Sequence, residues 1–346
     1  MSLTLRDEIL EQPDAAQRLL DAAADFAPIA DEIRRRRPTF ALIAARGSSD
    51  NAALYAQYLF AIRNGLITAL ATPSTISLYG ARPRMSDALV IGISQSGRSP
   101  DIVGVLEEAR RQDAMTVAIS NDASSPLADA AAHVIDLRAG PERATAATKT
   151  YSTELLAVAL MSTAIDAADA DEQRQLGRVP ELMSAALRGE DEARAVASTH
   201  AERDSCIVLG RGYAYATARE WALKLQELAQ VSALPFSAAD FEHGPLALAE
   251  PGLSVLACAP HGLALDAQME LLKRLHRDHG ARLLVLSDSE EARSIDQGLR
   301  IPGSVPSWLS PIIEILPAQM YTYHVTIARG LDPEQPRTIS KVTETR

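Results

Sequence analysis

At 346 residues, with 47% hydrophobic and 23% charged side chains, the chain is long enough for about two globular domains with sizeable cores. Thirty-four basic residues against forty-five acidic ones give a net charge of -11, which argues against nucleic acid as a partner, because polyanion binding draws on a basic excess that releases counterions. No apolar run reaches the roughly 18 residues that cross a bilayer, and "MSLTLRDEILEQPDAAQ" carries charge where a secretion signal needs an apolar stretch, so the expectation is a cytoplasmic protein with no membrane partner.

Residues 1–35 read as a helical N-terminal extension. Short runs rich in Val, Ile and Leu then alternate with longer segments of helical periodicity. "TFALIAARGSS" (39–49), "DALVIGISQSG" (87–97), "MTVAIS" (115–120) and "HVIDLR" (133–138) read as strands buried on both faces, with helices at 50–63, 100–112 and 147–168. That βαβα order implies a parallel sheet with right-handed crossovers. After a helical connector at about 180–200 the pattern begins again. "SCIVLGRGYA" (205–214), "LSVLACAP" (253–260) and "ARLLVLSD" (281–288) are the strands, with helices at 213–230 and 265–278. The segment 306–328 reads as a helix in which Pro317 predicts a kink or break. The predicted organisation is α/β: an extension (1–35), two tandem doubly wound parallel-sheet domains (36–175 and 176–329) with helices on both faces, and an irregular C-terminal tail (330–346).

Cys206 and Cys258 sit in apolar runs without metal or CxxC spacing and read as buried, reduced thiols. The seven histidines are scattered, with no HxH or HExxH pattern, so no metal site is expected. Walker A and G-x-G-x-x-G patterns are missing as well, which argues against a nucleotide.

In open parallel sheets chemistry belongs at the carboxyl ends of strands. There, "IGISQSGRSPD" places Ser94, Gln95, Ser96 and Ser99 around Gly97, with Pro100 suited to the first helical turn. One serine would need only a helix-capping role, whereas this cluster before a helix N-terminus favours an anion cradle. "ARGSSDN" (45–51) repeats the design, and Ser48 or Ser49 offers a further hydroxyl. Farther along, Lys224 and Glu227 share a helical face; spacing alone makes them an ordinary surface pair. His243 falls in a turn-like "FEHGPLA". The tail carries Lys341, one of only four lysines (149, 224, 273, 341) among the thirty-four basic residues.

The ordered set SQSG, ATK, ALKLQE, FEHGPLAL and QPRTISK resembles the tandem sugar isomerase (SIS) domain family, which includes the isomerase half of glucosamine-6-phosphate synthase. The similarity runs from "EILEQP" to the tail. It implies flavodoxin-like domains and a phosphate cradle of Ser94, Gln95, Ser96 and Ser99, with Ser48 close to the sugar. It further implies Glu227 as the carboxylate that moves a proton between C1 and C2, with Lys224 beside it. His243 would open the sugar ring from a neighbouring subunit of a homodimer, and Lys341 would form a Schiff base with a ketose phosphate. No cofactor is needed, because the substrate carbonyl and Lys341 supply the electron sink. The chemistry suits these residue types: an arginine guanidinium stays protonated and does not condense, so a tail amine has a function that arginine lacks.

Two departures shape the expected reaction. "AATK" puts Ala147 where the synthase has a sugar-contacting hydroxyl, and no glutaminase segment with a cysteine nucleophile precedes the isomerase-like part. The expected activity is therefore an amino-sugar-phosphate isomerase/deaminase that converts glucosamine 6-phosphate to fructose 6-phosphate and ammonia. The alternatives are a deglycase for fructosamine-type phosphates, an ammonia-dependent glucosamine-6-phosphate synthase, and a non-catalytic sugar-phosphate-binding regulator.

Overall fold

Runs of apolar residues with no polar face have to be covered on both sides, and the computed structural model, which describes residues 4–166, 169–303 and 305–341, places them at the centres of two parallel sheets. The first sheet contains β1 (Phe40–Ala44), β2 (Thr68–Leu70), β3 (Ala88–Ser94), β4 (Met115–Ser120) and β5 (His133–Asp136), in spatial order β2-β1-β3-β4-β5. The second contains β6 (Ser205–Gly210), β7 (Ser232–Ser237), β8 (Ser254–Cys258), β9 (Arg282–Ser287) and β10 (Gln297–Arg300), in the order β10-β9-β8-β6-β7. Counted from each sheet's first strand, the two orders are the same. Every residue of β3 and β4 is buried. The tandem α/β architecture read from the sequence is the observed one.

The chain divides into two compact units. One is built on the first sheet and comprises Asp14–Glu142, Lys149–Gly177 and the tail from Ser340 onward. The other is built on the second sheet and comprises Arg178–Ile339, Arg143–Thr148 and the N-terminal residues up to Pro13. Within this second unit the buried Glu8 carboxylate accepts hydrogen bonds from the backbone N–H groups of Arg143 and Ala144. Glu334 of the tail accepts from the N–H of Leu5, at 2.9 Å, where the first helix (Leu5–Leu10) begins. The remaining N-terminal helices are Gln12–Asp21 and Ala27–Arg36.

Three strands were not anticipated: β2, β7 and β10. All lie at sheet edges or are short, and β7 contains Pro235, which an edge tolerates because one side of the strand has no ladder to complete. Of the kink or break expected at Pro317, the break does not occur: one helix runs from Ser310 to Ala328 with Pro317 inside it. Nearly every side chain of that helix through Thr326 is buried. Burial all round outweighs the local cost of the lost hydrogen bond, about 3 kcal/mol. Both cysteines are free and buried, and burial pushes the Cys206 thiol up to about 12.

The second unit contains two buried titratable groups with opposite pH dependences. His200 is neutral: Nε2–H donates to Gln297 Oε1 at 2.7 Å, Nδ1 accepts from the Tyr321 hydroxyl at 2.7 Å, and burial pulls its pKa down to about 4. Stability from His200 is lost as pH falls from 6.5 through 4. Glu314 is fully buried, and among the described residues neither of its carboxyl oxygens has a hydrogen-bond partner, nor do the Thr217 hydroxyl and the Trp221 indole N–H. Burial pushes Glu314 up to about 7; the neighbouring hydroxyls of Ser310 and Thr217 oppose the shift without closing a hydrogen bond to it, and Asp288 adds to it. A raised acid pKa means that the folded state holds a proton that the unfolded chain releases, so this contribution is complete below about pH 4.5 and lost as pH rises through about 7. Glu314→Gln, which mimics the protonated side chain, removes that loss. In urea melts the variant gains on the wild type between pH 5 and pH 8, by about 3 kcal/mol. Parallel stability curves over that range would contradict the assignment.

Candidate active site

β1 and β3 pair in parallel with Ala44 opposite Gly92, so the turns that follow them leave the sheet side by side. This is the point where strand order reverses, and it is where an open parallel sheet presents a ligand crevice. The turn after β3 is Gln95–Ser99, leading into the helix Pro100–Arg111. Ser94 Oγ accepts from the N–H of Gly97 at 3.2 Å, and Ser96 Oγ accepts from the N–H of Arg98 at 3.3 Å. Each hydroxyl thereby shapes the turn as an acceptor and keeps its own proton for donation. Ser99 stands at the N-cap position, yet its side chain makes no capping hydrogen bond. The bland capping role therefore does not account for it.

The Gln95 carbonyl accepts from the Asn121 N–H at 3.2 Å, and the Gly97 carbonyl accepts from the Leu127 N–H at 3.0 Å, so residues after β4 brace the turn from behind. Gly97 has φ +62°, and a Cβ there would lie 2.0 Å from Ser125 Oγ. Only glycine fits. The helix dipole adds a positive end at the same point. Arg46, from the turn after β1, pairs at 2.8 Å with the buried Asp101 in the first turn of that helix, and Arg98 lies 3.6 Å from Asp122. The two serines after β1 diverge. Ser49 is buried and donates to Glu154 Oε1 at 2.8 Å, whereas Ser48 stays half-buried in the first turn of the helix Gly47–Arg63.

Lys341 belongs to the same unit as this cradle. Its Nζ donates to Glu142 Oε2 at 2.7 Å, and Glu142 is fully enclosed at its side chain. The same carboxylate accepts from the Thr150 N–H at 3.0 Å and from the Thr150 hydroxyl at 2.7 Å, at the start of the helix Lys149–Asp166. The motif lysine Lys149 is buried as that helix's first residue. Sequence reasoning passed over Glu142. The available signal was an acidic residue seven positions before Lys149 in an otherwise small-residue loop.

Lys224, Glu227 and His243 belong to the other unit. Helix Ala214–Ala229 starts close after β6 because Gly210 carries no side chain: a Cβ there would lie 2.4 Å from the Ala214 carbonyl oxygen. Lys224 is 1% exposed, its ammonium hydrogen-bonded to Glu227 and 3.5 Å from the wholly buried Glu220. An ordinary surface pair is therefore ruled out. Glu227 keeps 23% of its side chain exposed. A buried lysine between two carboxylates, one of which reaches solvent, is an arrangement chemically able to hold or pass a proton. His243 ends the short helix Ala238–Glu242 and is exposed, and its imidazole makes no hydrogen bond among the described residues. Among the described residues no group of His, Cys, Asp and Glu forms a metal-binding cluster, and no helix is long and apolar enough to cross a membrane.

Two five-stranded parallel sheets of identical strand order, the first ending in a serine-rich turn at its switch point, define a tandem doubly wound α/β protein. The chain belongs to the SIS domain family, whose sequence profile matches residues 38–164 and 201–329. It is 35% identical over 338 residues to glutamine–fructose-6-phosphate aminotransferase (isomerizing) of Methanothermobacter thermautotrophicus, an alignment covering 96% of this chain and 56% of that protein. The chain thus spans about half the length of the curated relatives it matches. Among solved structures, a proposed phosphosugar isomerase from Silicibacter pomeroyi superposes with a TM-score of 0.87 at 37% identity, over 95% of this chain and 99% of that one. The C-terminal domain of glucosamine-fructose-6-phosphate aminotransferase from Francisella tularensis gives 0.86 at 25% identity, over 96% and 98%.

Proposed function

We propose that this protein is an enzyme, a phosphosugar aldose–ketose isomerase that converts glucosamine 6-phosphate to fructose 6-phosphate and ammonia. The observation that carries the reading is the buried Lys224 held against Glu227, a carboxylate that keeps access to solvent. The serine turn supports a phosphorylated substrate, and the relatives named above act in phosphosugar and amino-sugar chemistry.

In this reading Ser94, Gln95, Ser96 and Ser99 hold the phosphate, and Ser48 lies close to the sugar. His243, contributed by a second copy in a homodimer, protonates the ring oxygen to open the sugar. Glu227 removes the proton from C2 of the open-chain amino aldose and returns it to C1, leaving an imine at C2. Lys341 exchanges onto that carbon, releasing ammonia, and water hydrolyses the resulting iminium to the ketose. Deamination by this set consumes only water, whereas amination consumes ammonia and releases water, and the ready supply of water favours the deaminating direction. Protein supplied with glucosamine 6-phosphate releases ammonia and fructose 6-phosphate in equal amounts. Binding of the sugar phosphate without turnover in either direction would replace the enzyme with a regulator.

A further inference from the structure

We propose that Glu142 is the proton carrier for Lys341: it docks the tail lysine at rest, takes the proton as the amine adds to a ketose-phosphate carbonyl, and returns it to the departing hydroxyl. The inference rests on the Schiff-base role of Lys341 given above and assigns a partner to it.

The need for such a group follows from ordinary amine chemistry. A solvated lysine has a pKa of about 10.4, so at pH 7 only about one in 2,500 carries the lone pair that attacks a carbonyl. A lysine that forms an iminium needs an acceptor within hydrogen-bond reach. The described structure provides one at 2.7 Å, in a side chain with no exposure to solvent, while the lysine itself remains 23% exposed and so open to a carbonyl from outside. Thr150 holds both carboxylate oxygens, its N–H on Oε1 and its hydroxyl on the Oε2 that Lys341 also meets, so the carboxylate stays in place when the lysine moves. A group that served only to pin the tail to the surface would not need to be buried and oriented by a helix N-terminus. On the helix itself Lys149 is the first residue, and Glu154, buried and bonded to Ser49, follows about one turn along.

The step balances. The Lys341 N–H bond breaks toward Glu142 Oε2 as the nitrogen lone pair forms the bond to C2. A proton then passes from nitrogen to the former carbonyl oxygen, giving the neutral carbinolamine. Glu142, now protonated, gives its proton to that hydroxyl, which leaves as water while the nitrogen lone pair forms the iminium. The net change is ammonium plus ketone to iminium plus water, with Glu142 returned as the carboxylate. Glu142 thus positions Lys341 at rest and serves as the acid–base group of the condensation.

The test is borohydride trapping of fructose 6-phosphate on the full-length protein, read by mass spectrometry of the tail peptide between pH 6 and pH 10. It compares wild type, Glu142→Gln and Glu142→Asp, with each variant's fold checked by circular dichroism and melting. Wild type forms the adduct on Lys341 at neutral pH. Glu142→Gln forms it about 10²-fold more slowly at pH 7, the loss expected for a missing acid–base group, and recovers steeply as pH rises toward 10. Glu142→Asp, which keeps the acid but shortens its reach, restores part of the neutral-pH rate. A uniform loss for Glu142→Gln at every pH would reduce Glu142 to an anchor and overturn the proposal, as would a wild-type rate and profile. No wild-type adduct on Lys341 at any pH would overturn the Schiff-base reading itself, and this proposal with it.

Discussion

Glu227→Gln lowers turnover of glucosamine 6-phosphate by about 10²–10⁴-fold with little change in KM, the signature of a lost transition-state proton transfer. The substitution preserves shape and leaves an amide oxygen to accept from Lys224, which also keeps Glu220 at 3.5 Å. Exchanging an ion pair for an ammonium–amide hydrogen bond costs about 1–2 kcal/mol of stability, well within what a domain of this size tolerates. In the proposed mechanism the serine turn after β3, not Glu227, holds the substrate phosphate, so kcat carries the effect. Steady-state kinetics with matched melting curves separate the two. A variant with wild-type kcat would remove Glu227 from the chemistry. Mixing Glu227→Gln with His243→Ala subunits adds a second readout: recovery of part of the activity indicates sites completed across a dimer, and none indicates that each chain works alone.

Lys341→Arg is expected to reduce turnover to background while leaving melting unchanged. Arginine keeps the positive charge that pairs with Glu142, so the tail still docks, but its guanidinium cannot condense with a carbonyl. Deleting residues 335–346 gives the same loss of activity by removing the amine altogether. That truncation retains Glu334 and its bond to the start of the first helix. The deletion also leaves Glu142 to its two bonds from Thr150, so the fold survives. Retained activity in both variants would return the tail to a purely structural role. Activity retained by Lys341→Arg but lost on truncation would assign the tail to closing the site rather than to covalent chemistry.

Much of this organisation was legible because it rests on local rules. Strands buried on both faces advertise themselves as unbroken apolar runs, and the turn "SQSGRSP" combines a glycine, serines and a proline in an order that suits a strand-to-helix junction. The edge strands were hidden by their shortness, and in β7 by Pro235. Pro317 misled because the cost of a proline inside a helix is local, whereas the burial that offsets it is not. The helix Lys149–Asp166 is buried almost all round, so no polar stripe marks which of its residues meet a ligand or another side chain.

The sequence alone determined which chemical groups are available: a serine-rich turn, a Lys–Glu pair on one helical face, a loop histidine, and one lysine in an otherwise arginine-bearing tail. Tertiary structure alone decided their environments. It buried Lys224 between two carboxylates, turned Ser49 away to Glu154 while leaving Ser48 half-buried, and joined Lys341 to a carboxylate 199 residues earlier in the chain. The physical reason is that periodicity reports only how an element divides apolar from polar faces. The proton affinity and partners of a polar group depend on what the rest of the chain brings within a few ångströms of it, and in these cases that comes from residues remote in sequence.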